Sequence, residues 1–89
     1  MNYQISDEAK SRYLERRRKD LKECQDALNQ NNFEFLKRIG HQYKGSAVTF
    51  GHQTLSELGL ALESKAEARD SSEIKNILKQ MEDYINSCS

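Results

Sequence analysis

Apolar side chains return at intervals of three, four and seven along most of the chain, and no proline interrupts them. On a helix, where each residue advances by about 100°, this spacing gathers side chains onto one face. Leu14, Leu21, Cys24 and Leu28 predict a first helix from Asp7 to about Gln30. Leu36, Ile39, Tyr43, Ala47 and Phe50 predict a second from about Phe33 to Phe50, and Leu55, Leu58, Leu62 and Ala66 a third from about Gln53 to Ala68. A fourth carries Ile74, Ile77 or Leu78, Met81, and Tyr84 or Ile85. Nothing supports an all-β fold.

The polar breaks fall between these stripes. Ser6, followed by Asp7 and Glu8, has the hydroxyl and carboxylates that satisfy free amides at a helix start. Asn29-Gln30-Asn31-Asn32 tolerates turn geometry, Gly51 stands where a C-terminal cap belongs, and Ser71 or Ser72 is placed to cap the last helix after Arg69-Asp70. Four amphipathic helices on short connections make antiparallel neighbours, so the expected fold is all-α, an antiparallel up-down-up-down four-helix bundle. A chain of 89 residues fits one domain, 1–89. Residues 1–6 are left open between disorder and a short extra N-terminal segment of helix.

Charge and composition remove several function classes. Lys plus Arg number 14 and Asp plus Glu 14, so no overall field favours nucleic acid or an acidic membrane surface. No apolar run approaches the roughly 20 residues that span a bilayer, and Met1–Ile5 lacks the apolar stretch of a secretory signal. A cytoplasmic protein is expected. Cys24 and Cys88 are far apart and outside any CxxC pattern, and both read as small core-facing residues. The tetrad Arg16-Arg17-Arg18-Lys19 fans around its helix among Glu15, Asp20 and Glu23, which suits a solvated charged face better than a phosphate-binding stripe.

The second helix carries the residues with chemical promise. His41 falls roughly 160° from the centre of the apolar stripe, which turns its imidazole to solvent. Alone it would be an ordinary surface histidine, but its neighbours are specific. Lys44 is its i+3 partner, close enough to steady an anion on the ring. Gly45, one turn on and inside a helix, costs about 1 kcal/mol relative to alanine, so something must offset it. Clearing space for a partner's active site is one reason; close helix packing is the other, and Gly40 is a second glycine to which packing could apply. Imidazole is a nucleophile that is neutral near physiological pH without a dedicated base. His52 lies eleven residues on, roughly 16 Å along a helix, too far to share a metal with His41. No carboxylate is placed to complete a triad with Ser46, and no phosphate-binding loop or kinase motif occurs.

The run His41-Gln42-Tyr43-Lys44-Gly45-Ser46-Ala47, continued by Phe50-Gly51, Leu55, Leu58, Leu62 and Glu63, resembles the histidine-containing phosphotransfer (HPt) domain family from about Tyr13 to Ile85. That family runs His-x-Leu-Lys-Gly-Ser-Ala or Ser, then Gly, then a leucine-rich helix ending Leu-Glu. Tyr43 stands where it usually has Leu, and Gly59 where it often has Cys or another small residue; both positions should face inward. The resemblance implies that His41 is phosphorylated and passes the group to and from an aspartate on the receiver domain of a response regulator or hybrid kinase. It implies that Mg²⁺ and the catalytic lysine belong to that partner, so that this chain needs no cofactor or metal and turns nothing over alone. Lys44 and Gly45 would stabilise and admit the phosphoryl group, and Arg38, Gln42, Val48 and Thr49, with His52 and Glu57 beyond them, would meet the receiver. The expected protein is a monomeric phosphorelay carrier. Its rival is a helical adaptor that binds receivers without being phosphorylated.

Overall fold

The structure is a computed structural model and describes residues 6–88, with side chains to Ser87. The expectations for residues 1–5 and for the Cys88 side chain lie outside the described residues. Four helices follow one another: α1 (Asp7–Asn29), α2 (Phe33–Thr49), α3 (Gln53–Glu67) and α4 (Ser71–Cys88). The packed pairs are α1–α2, α2–α3, α3–α4 and α1–α4, which closes a four-helix bundle, with α2 on α3 the most extensive contact. No helix among the described residues is long and apolar enough to cross a membrane.

All three turns use one local device. Asn31, Gly51 and Arg69 adopt left-handed φ values of 56°, 80° and 55°. Each donates its amide to a carbonyl three residues back, and the following residue donates to one five back: Gly51 N to Val48 O at 2.9 Å and His52 N to Ala47 O at 2.8 Å, for example. These are Schellman closures, which satisfy carbonyls that a helix end leaves free. The residue after each then opens the next helix. Asn32 Oδ1 accepts from Phe35 N at 3.2 Å, and Asp70 Oδ1 accepts from Glu73 N at 3.2 Å. Asp70 therefore caps α4, one residue before the expected Ser71 or Ser72, because the left-handed Arg69 has already turned the chain. Ser6 caps α1 as expected, accepting from Ala9 N at 3.1 Å.

The interior holds Leu14, Leu21, Cys24, Leu36, Ile39, Tyr43, Ala47, Leu55, Leu62 and Ala66 from the expected stripes. On α4, Ile77 and Leu78 are both buried, as is Ile85, while Tyr84 is half-buried. Leu28, Phe50 and Leu58 differ from expectation: each is only partly buried, at the edge of the core. Ala27 takes the inner place on α1, and the α3 surface facing α2 is given to Ser56 and Gly59, since that seam is too narrow for leucine. Burial pushes the Cys24 thiol up to about 12, so it is a small apolar filler.

The basic tetrad is solvated only in part. Arg16 and Lys19 are exposed, but Arg17 turns inward, its guanidinium 4.6 Å from the Tyr13 ring centre and 5.3 Å from that of Tyr43. Asp20 joins this stack, pairing with Arg17 Nε at 2.9 Å and accepting from the Tyr43 hydroxyl at 3.1 Å. Burial, and then the Asp20 carboxylate, push the Tyr43 phenol far above its ordinary range, which keeps it a donor. The tyrosine in place of the family's leucine thus has a polar partner waiting on α1.

Candidate functional site

The site begins with two glycines. A Cβ on Gly40 would lie 2.6 Å from Glu63 N and 2.7 Å from Gly59 O; one on Gly59 would lie 2.6 Å from Tyr43 Cβ and 2.8 Å from Lys44 N. Such distances exclude any side chain, so α2 and α3 meet backbone to backbone. Ser56 closes the same seam by donating its hydroxyl to Lys44 O at 2.7 Å. Gly40 is therefore the packing glycine, and Glu63 of α3 is carried directly beside the turn of α2 that bears His41.

His41 stands outside the bundle, its side chain 67% exposed, with Nδ1 2.9 Å from Glu63 Oε2. The second carboxylate oxygen, Oε1, accepts from Lys44 Nζ at 3.2 Å. Lys44 first and His41 second hold the Glu63 carboxyl below its ordinary value, so it is ionised and can only accept. In the neutral ring the proton accordingly sits on Nδ1, donated to Glu63, and the Nε2 lone pair lies on the far side of the ring. An exposed nucleophile backed by a fixed anion is the result.

Gly45 has no atom within 4 Å of where a Cβ would stand, so nothing in the fold requires a glycine there. Its missing side chain leaves open space one turn from His41. Arg38, Gln42, Val48 and Thr49 are exposed on the same helix, Val48 to 50%. Glu57 on α3 is exposed as well.

His52 does not join them. It is 6% exposed, and its Nδ1 lies 2.8 Å from the Tyr84 hydroxyl on α4. The residue after the left-handed Gly51 turns its ring into the bundle, against Tyr13, which removes it from any contact surface. With one histidine outside and the other enclosed, the two rings cannot share a ligand.

Two residues of α3 that line one depression have no role from the sequence alone. Glu63 ends the Leu-Glu pair of α3, 22 positions from His41, and the signal that could have placed it is the pair Gly40 and Gly59. Leu60, half-exposed on α3, borders a shallow depression with Lys37, Glu63, Ser64 and Glu67, and its place off the inner stripe was the clue.

The chemistry available is that of a carrier. The ring can accept an electrophile at Nε2, the carboxylate can balance positive charge that develops on the ring, and the ammonium can turn to an arriving anion. In comparison with known proteins, the family model described as Hpt domain matches residues 8–87. Searches of curated proteins and of solved structures found no match.

Proposed function

Because the chain belongs to the Hpt domain family, whose members carry phosphoryl groups on histidine in phosphorelays, we propose that His41 is the phosphorylated residue and that it exchanges the group with receiver aspartates. The observation that carries this reading is the exposed imidazole whose Nδ1 is held by an ionised Glu63. Of the two histidines in the chain, the other is enclosed.

In the proposed step the Nε2 lone pair attacks the phosphorus of a partner's aspartyl-phosphate in line with the leaving oxygen. The N–P bond forms, the P–O bond to the aspartyl carboxyl breaks, and the carboxylate leaves with the electron pair. The Nδ1 proton stays in its hydrogen bond to Glu63, which offsets the positive charge gained by the ring. Lys44 can swing from Glu63 to the phosphoryl oxygens, and the open face at Gly45 gives the partner its approach. The same geometry run backwards returns the group to an aspartate.

Arg38, Gln42, Val48 and Thr49 form the receiver-binding face in this proposal, with Val48 its apolar contact. The protein acts as a monomeric cytoplasmic domain without a cofactor of its own, relying on the receiver's Mg²⁺ and lysine. Incubation with a phosphorylated receiver should give an acid-labile label that is absent from His41→Ala. A label that persists in this variant would overturn the assignment, and receiver binding with no label at all would favour the adaptor.

A further inference from the structure

Phosphotransfer leaves His52 unused, and its surroundings favour the neutral ring over the charged one. The ring stacks on Tyr13 at 5.8 Å and 15°, and stands edge-on to Tyr84 at 5.8 Å and 87°. Tyr13 extends the stack to Phe50 at 4.6 Å, and its hydroxyl shares a 2.7 Å hydrogen bond with Ser46 of α2. One imidazole is thus wedged among α1, the turn between α2 and α3, and α4.

Its Nδ1 has Tyr84, but Nε2 is buried with no hydrogen-bond partner among the described residues. A bare lone pair there costs little; a second ring proton would put a charge on the buried ring with no counter-ion among the described residues and only the Lys10 backbone to favour it. The groups that bear on it are Lys10 and Tyr13 from α1 and Tyr84 from α4, while α2 contributes Phe50 and the α3 end begins with the ring's own residue. Lys10 is the charged member, and it is a cation, packed over Gly51 with Cε 3.2 Å from where a Cβ would stand. Burial most of all holds the imidazole below the usual value near 6.5, with the Lys10 backbone favouring the proton and the Lys10 ammonium opposing it.

We propose that His52 is an acid-sensitive latch: its protonation drives the ring out from between Tyr13 and Tyr84 and releases the first turns of α1 from the α2–α3 turn. The turn released is the one closed on the carbonyls of Ala47 and Val48, so the latch borders the outer end of the face around His41. The sign follows from linkage. A histidine held below its ordinary value stabilises the closed state fully above about pH 6.5, and the contribution is lost as pH falls towards its value in the fold. Across that window the opening constant rises by up to about tenfold per pH unit.

The test needs no receiver, so its outcome is independent of the phosphotransfer reading. In a His41→Ala background His52 is the sole histidine, and its ring signals can be followed by NMR from about pH 8 to about pH 5. The expected result is a midpoint below 6.5, with amide exchange at Lys10 to Leu14, corrected for intrinsic rates, rising through the same window. His52→Gln, which keeps a hydrogen-bonding group but cannot charge, should flatten the response. A His52 midpoint at or above 6.5, or identical pH dependence of exchange in His52→Gln, would overturn the latch. If the glutamine variant folds poorly, the titration of the parent background still decides.

Discussion

Gly45→Ala separates the needs of the fold from those of the partner, because the two should respond with opposite signs. The position is exposed and helical, and an added methyl meets no atom within 4 Å, so the substitution brings no clash. It also removes the extra freedom that glycine has in the unfolded chain, a gain of about 0.5–1 kcal/mol. For a domain of this size that corresponds to a rise in Tm of roughly 2–8 °C. The methyl nevertheless stands one turn from His41, in the space a receiver would need. Misplacement of reacting atoms by about 1 Å can cost on the order of 10²-fold in rate, and transfer should slow on that scale. Urea unfolding and single-turnover transfer from a phosphorylated receiver measure the two effects. A variant less stable than the parent would mean that Gly45 serves packing; a more stable variant with unchanged transfer would mean that the open space is not used.

Gly59→Ala should fail in both assays, since its methyl would force α2 and α3 apart by several tenths of an ångström; we expect a loss of about 1–3 kcal/mol in urea and slower transfer as Glu63 withdraws from His41. Unchanged stability would show that the seam can yield. Glu63→Gln keeps size while removing charge, so phosphorylation of His41 should slow with little change in the urea midpoint, and equal rates would deny the carboxylate a part in activating the ring. In a Cys88→Ser background, a thiol reagent at about pH 8 should label Cys24 only through opening, its thiolate being depleted on the order of 10³-fold against a free cysteine. Rapid labelling of the folded protein would contradict its enclosure.

Local signals carried most of the fold. Ser6, the asparagine cluster and Gly51 mark helix ends through hydrogen bonds spanning a few residues, so sequence neighbours suffice to find them. The outward facing of His41 follows from periodicity alone, and His41 is indeed exposed. What could not be read depends on how helices meet. Glu63 reaches His41 only because two glycines let separate helices touch, and Leu58 is displaced to the edge for the same reason. Arg17 looks like one more surface cation until Tyr13 and Tyr43, 30 positions apart, are brought to either side of it. The place of His52 among the receiver contacts could not be tested from sequence, because a turn residue's side chain can point either way and only the presence of Tyr13 and Tyr84 beneath the turn settles the direction.

The connections of this bundle contain almost nothing besides one left-handed residue and one helix opener, which leaves no slack for recognition to be written into loops. Lengthening the link between Gly51 and Gln53 by a residue that joins α3 would rotate that helix by about 100° and swing the carboxylate of residue 63 away from the ring. Relatives that serve different receivers should therefore diverge by exchanging side chains on the outer helical walls, while the spacing between those walls stays invariant.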